Sequence, residues 1–212
     1  MRTTNILVHG LGQNETGWSL CRTELERNCI EAEAPNLYAM VRANEADYAA
    51  LLQGFTDYCN AFDGRLNLCG LSLGGILALD YAKRFPDRVH SMILIGVPYR
   101  IPRFLFAIQS AVFHLMPAGS FEKMGIGKKE LISLVHSMRY LELARGLEKI
   151  RCKVLLLCGA KDRQNKKDAK MLCEEIKGSS FQIVRGAAHE VNADNPKVLA
   201  EIIGSFWQQV GQ

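Results

Sequence analysis

Short apolar runs closed by glycine, proline or aspartate alternate along this chain with longer stretches whose apolar residues recur three and four positions apart. The short runs predict strands at residues 5–8, 66–69, 89–95, 153–158 and 181–184, with a weaker sixth at 29–34 that Pro35 stops. The periodic stretches predict helices at residues 15–28, 44–62, 73–84, 164–177 and 196–210. Phe85-Pro86-Asp87 ends the third of these helices and Gly178 the fourth. Strands without polar alternation are buried on both faces. The pattern therefore predicts an α/β fold, a three-layer αβα sandwich around a mostly parallel, six-stranded sheet.

Residues 99–137 break the alternation. Between two core strands they carry Phe104, Phe106, Phe113, Met116, Phe121 and Met124, with Pro102 and Pro117. Apolar side chains fall nearly all round residues 101–116, so a single face cannot bury them. We read this segment as a small helical lid over the sheet end; a packed helical insertion and a membrane-surface helix are the plainer alternatives. The whole chain, 1–212, reads as a single domain with 99–137 as its insertion.

Length and composition narrow the class. The 212 residues are enough to bury a core without disulfides or metals, and 48% hydrophobic with 23% charged is ordinary for a globular domain. A net charge of +4, spread along the chain, does not argue for nucleic acid binding. No stretch is apolar and long enough to span a bilayer, so no stable membrane insertion is expected. From seven cysteines without a CxxC pair, and an N-terminus without a signal-peptide pattern, we expect a cytoplasmic chain with free thiols. The pattern leaves the oligomeric state open.

One stretch carries chemistry. Residues 66–79 read as a strand, then Gly70-Leu71-Ser72-Leu73-Gly74, then a helix. A serine on such a turn is strained, stands clear of the sheet, and needs glycines around it so that neighbouring backbone can pass. Ligand chemistry in parallel sheets gathers at the C-terminal strand ends. Those ends carry His9-Gly10-Leu11-Gly12, Ser72, Gly96-Val97-Pro98, Gly159-Ala160-Lys161-Asp162 and Gly186-Ala187-Ala188-His189. One serine, one aspartate and one histidine share that edge. On spacing alone Ser72 also fits a helix N-cap, Asp162 the cap of the helix beginning near Gln164, and His189 a surface loop.

The stretches "NILVHGLGQNETGW", "LCGLSLGGILALDYAKRFPDRV", "KVLLLCGAKD" and "GAAHEVNADNPKVLAEIIGSFW" resemble the α/β-hydrolase family across nearly the whole chain. The resemblance implies a compact member that begins at the family's third strand and has a short lid. It also implies a catalytic order Ser72, Asp162, His189. Ser72 would attack, His189 take its proton, and Asp162 hold the imidazole in the right tautomer. The backbone N–H groups of Leu11 and Leu73 would stabilise the oxyanion. His9, Phe104, Phe113 and Met116 are the substrate-pocket candidates, although His9 also fits a structural role.

The expected function is a serine hydrolase of the carboxylesterase or thioesterase kind, acting on a small to medium apolar acyl substrate. Two rivals stand beside it: a lyase, acyltransferase or perhydrolase of the same fold, and a binding or signalling protein that keeps the triad. No HxH or HExxH spacing supports a metal, and no cofactor is expected. The basic cluster Lys161, Arg163, Lys166, Lys167 and Lys170 reads as a solvated helix face.

Overall fold

The computed structural model describes residues 3–41, 46–100, 119, 121 and 124–211. Five strands, β1 (Thr3–Val8), β2 (Arg65–Leu71), β3 (Val89–Ile95), β4 (Lys153–Gly159) and β5 (Ser180–Val184), form one sheet in the order β1-β2-β3-β4-β5. All four pairings are parallel. Every strand therefore delivers its C-terminal end to the same edge.

The expected sixth strand is corrected: among the described residues, 29–34 contributes only an isolated bridge between Ile6 and Glu33. Two hydrogen bonds make it, Leu7 N–H to the Glu33 carbonyl (2.8 Å) and Glu33 N–H to the Asn5 carbonyl (2.8 Å). Cys29 holds a left-handed backbone at φ 59°, and Pro35 has no N–H to continue a ladder.

Alternation along the strands divides the core into two layers. Ile6, Val8, Leu66, Leu68, Met92, Leu94 and Leu156 face one way. They meet helices α2 (Tyr48–Asn60), α3 (Leu73–Arg84), α4 (Lys128–Met138) and α5 (Arg163–Glu175). Leu7, Cys69, Leu71, Ile93, Ile95, Leu155 and Leu157 face the other way. They meet α1 (Ser19–Arg27) and α7 (Pro196–Val210), the latter following the short α6 (Val191–Asp194). Each fully buried Leu or Ile adds about 1.5–3 kcal/mol relative to exposure. The three-layer sandwich is as the apolar pattern implies.

At the N-terminal end of the sheet a polar ladder crosses three strands. Ser91 Oγ donates to Asn67 Oδ1 (2.6 Å), Asn67 Nδ2 to Asn5 Oδ1 (2.8 Å), and Asn5 Nδ2 to the Glu31 carbonyl (2.8 Å). The partners sit in register, Asn5 opposite Asn67 and Asn67 opposite Ser91. A groove of about 920 Å³ opens at this end, lined by Asn5, Glu31, Asn67 and Trp207 among others, far from the strand ends that carry the candidate chemistry.

The lid expectation falls largely outside the described residues, which omit 101–118 and with them Phe104, Phe113 and Met116. The end of the 99–137 segment is ordinary core: α4 buries Leu131, Leu134, Val135 and Met138. Among the described residues no helix is long and apolar enough to cross a membrane.

Candidate active site

Ser72 occupies the turn between β2 and α3 with φ 50° and ψ −110°. Such a backbone is rare for a residue with a side chain and costs on the order of 1–3 kcal/mol. Its surroundings hold it there. Ser72 N–H donates to the Ile95 carbonyl at the end of β3 (2.8 Å), and the Ser72 carbonyl accepts from Ile76 N–H (3.0 Å).

The glycines explain how helix and strand meet so closely. A Cβ on Gly70 would collide with the Gly74 and Gly75 backbone, and one on Gly74 with the Val8 and His9 carbonyls. Ser72 occupies the N-cap position of α3, but its hydroxyl makes no capping hydrogen bond to that helix.

Asp162 and His189 meet from different strand ends. His189 Nδ1 lies 2.8 Å from Asp162 Oδ2. The Asp162 side chain is buried, while that of His189 is 43% exposed, so the imidazole presents a solvent-facing side. Gly159 permits the meeting, because a Cβ there would strike the Ala187 and Ala188 carbonyls of the loop that carries His189.

Gly96, at φ 58°, lies against the imidazole: a Cβ built on it would stand 3.0 Å from Cε1 and 3.1 Å from Nδ1. Gly96 follows Ile95, the residue that binds Ser72 N–H, so the histidine ring and the serine flank one strand end. Among the described residues no hydrogen bond joins the Ser72 hydroxyl to His189 here. In sites without substrate that bond is commonly long and tightens on binding.

Asp162 also caps α5, and its two oxygens divide the work. Oδ1 accepts from Asn165 N–H (3.2 Å) and Oδ2 faces His189. Burial works to raise the carboxyl above its ordinary value, but the hydrogen bonds from His189 and Asn165 outweigh it and bring it below. An ionised acid fixes the proton on His189 Nδ1 and leaves Nε2 as the basic nitrogen.

The loop after β1 is pinned from beneath. Contrary to the pocket expectation, His9 is fully buried, and both its ring nitrogens bind backbone. Leu37 N–H donates to Nε2 (3.0 Å), so the proton sits on Nδ1 and goes to the Gly10 carbonyl (2.9 Å). Burial holds this histidine below its ordinary value, against the Gly10 bond and the Glu15 charge. A neutral ring with no free nitrogen has nothing to offer a substrate.

Peptide planarity turns the Leu11 N–H away from the bonded Gly10 carbonyl. Tyr38 Oη accepts from Gly12 N–H (2.9 Å) and fixes the next peptide. Neither Leu11 N–H nor Leu73 N–H donates to any described residue.

Motif reading missed three amide side chains. Asn165 touches both oxygens of Asp162. Gln13 and Asn192 exchange two hydrogen bonds (3.3 and 3.0 Å), and Asn192 also donates to the Gly17 carbonyl (3.0 Å), joining the loop after β1 to α6 just beyond His189. Only Asn165 left a trace in the chain, three residues after a helix-capping aspartate.

A family model for the alpha/beta hydrolase family matches residues 6–202. The chain belongs to the alpha/beta hydrolase family. Among curated relatives, an uncharacterized protein from Mycobacterium tuberculosis is 34% identical over 96 residues, covering 43% of this chain and 28% of that protein. A 2-hydroxy-6-oxo-2,4-heptadienoate hydrolase from Pseudomonas putida is 33% identical over 102 residues, covering 43% of this chain and 36% of the hydrolase. The matched part thus spans about a third of each relative's length. Among solved structures, the thermophilic esterase from Thermogutta terrifontis superposes with a TM-score of 0.79 at 20% identity. That superposition covers 100% of this chain and 92% of the esterase, and the likeness shows the hydrolase fold.

Proposed function

We propose that this alpha/beta hydrolase cleaves a carboxylic ester or thioester of a small to medium apolar acyl substrate through Ser72, His189 and Asp162. The observation that carries the reading is Ser72 at φ 50° on the elbow, beside the strand end against which the Asp162-bound His189 ring lies. Strain of this kind persists where the surrounding structure enforces it, and here it frees a hydroxyl for attack.

In the proposed cycle Ser72 Oγ attacks the carbonyl carbon while His189 Nε2 takes its proton. The carbonyl oxygen, now negative, accepts from Leu11 N–H and Leu73 N–H at the N-terminus of α3. Collapse expels the alcohol or thiol, which receives the proton from His189, and leaves Ser72 acylated. Water then gives a proton to Nε2 and attacks the acyl carbon, and collapse releases the acid as Ser72 Oγ takes the proton back from His189. Asp162 stays ionised and holds the imidazolium throughout.

Esterases among the structural neighbours and a hydrolase among the relatives support the class. The test is labelling with a fluorophosphonate probe, followed by a chain-length series of p-nitrophenyl esters and acyl thioesters. Ser72→Ala should abolish labelling and lower turnover on the order of 10⁶-fold. Ester hydrolysis undiminished in the folded variant would sink the assignment. Labelling without turnover of any ester or thioester would favour the lyase, acyltransferase or perhydrolase reading, and a folded protein that never labels would favour a binding role.

A further inference from the structure

We propose that Asn165 is a positioning residue for the acid–base pair: its side-chain amide grips both oxygens of Asp162 and draws off part of the negative charge that would otherwise hold the His189 proton. The inference rests on the proposed roles of Ser72, His189 and Asp162.

The geometry is specific. Asn165 Nδ2 lies 3.1 Å from Asp162 Oδ1 and 2.9 Å from Oδ2, and its backbone N–H lies 3.2 Å from Oδ1. Only the nitrogen of the amide suits that place, because the amide oxygen would face two carboxylate oxygens. Asn165 Nδ2 also lies 3.2 Å from His189 Nδ1. With the Nδ1 proton directed at Asp162 this is a meeting of two donors and no bond. The amide nitrogen therefore donates to the carboxylate alone, in a bond forked across its two oxygens, and Oδ2 is shared between Asn165 and His189.

An acceptor shared by two donors binds each less strongly. The imidazolium is therefore stabilised less than an unshared carboxylate would stabilise it. The same grip keeps Oδ2 aimed at Nδ1, which Asp162 alone, joined to the chain through two rotatable bonds, would not guarantee.

The other charges around the pair come from three elements. Lys161 and Arg163 flank Asp162 and are exposed, while Lys166 Nζ donates to the Ala160 carbonyl (3.2 Å). Asp168 lies one turn further along α5, and the Cys158 thiol at the end of β4 donates to the Asp162 carbonyl (3.4 Å). Glu190 follows His189, and Asp194 Oδ2 accepts from Ala188 N–H. None of these makes a hydrogen bond or ion pair to the Asp162 carboxylate, so Asn165 is the neighbour that shares it with His189.

The test is the pH dependence of the second-order rate of fluorophosphonate labelling, which needs no knowledge of the substrate. Wild type, Asn165→Leu and Asn165→Asp are compared, with Ser72→Ala as control and thermal unfolding to verify folding. Removing the donors with Leu should move the acidic limb to higher pH by about 0.5–1 unit. Asp, which keeps the size but adds a like charge, should move it further in the same direction. A limb unmoved or shifted downward in both variants, with labelling still confined to Ser72, overturns this inference alone. Labelling that persists in Ser72→Ala overturns the nucleophile assignment and this inference with it.

Discussion

Ser72 and His189 reach the same edge of the sheet, yet backbone packing holds the first and side-chain amides orient the surroundings of the second. On the serine side, Gly70, Gly74 and Gly75 let α3 press against β2 and the end of β1, where any Cβ meets main-chain atoms. Such contacts cannot relax without moving whole elements. On the acid–base side, Gly159 admits the histidine loop, but Asn165 orients Asp162, and the Gln13–Asn192 pair ties that loop to the one after β1. Hydrogen bonds of this kind are worth about 1 kcal/mol each and can be removed singly. One arm of the site is therefore part of the fold, and the other can be adjusted within it.

The comparison breaks most sharply at the two glycines. Gly74→Val drives a side chain into the Val8 and His9 carbonyls and should cost about 3 kcal/mol or more, read as a lower urea midpoint. Gly159→Val displaces only the histidine loop and should leave a folded protein whose Ser72 labels roughly 100-fold more slowly. Equal stability losses with equal labelling losses would erase the distinction.

Next in size is His9, which belongs to the rigid arm and adds a pH signature. Its value in the fold lies below the ordinary 6.5, so between the two values the unfolded chain binds more protons than the native one. Its contribution is complete above about 6.5 and is lost as pH falls from there toward its folded value. Asp162, also depressed, loses its contribution only as pH drops below about 3.8. His9→Asn should cost about 2 kcal/mol near neutral pH and flatten the stability profile below about pH 6.5. Urea unfolding across that range provides the check.

The smallest expected effect is at Asn192. Asn192→Ala leaves Gln13 and the Gly17 carbonyl unpaired and should cost about 1–2 kcal/mol. If the amide pair couples the two loops, labelling should slow several-fold while the acidic limb stays in place. A moved limb would assign to Asn192 the behaviour expected of Asn165.

The sequence made the rigid arm legible and the adjustable arm only in part, for a physical reason. Backbone packing demands glycine at set places, so Gly70, Ser72 and Gly74 announce the elbow, and apolar runs announce the strands behind it. The Asp162–His189 contact was reachable because both residues close strands of one parallel sheet. Asn165, Gln13 and Asn192 belong to residue types common on any surface, and only tertiary proximity gives them a task. His9 shows the converse: its place at a strand end suggested a substrate contact, but burial between Gly10 and Leu37 makes it a brace. The sixth strand failed because period and composition do not count the hydrogen bonds available to residues 29–34.

That short segment has a further consequence. An outer strand with free N–H and carbonyl groups invites pairing with another chain. Along β1 the bonds of Leu7 and Asn5 to Glu33 use up the middle of that row, and the Ser91–Asn67–Asn5 ladder fastens the cover at the Glu31 carbonyl. Glu31 and Glu33 put two negative charges along the covering segment. A fragment too brief to be a strand thus works as a guard against edge-to-edge aggregation.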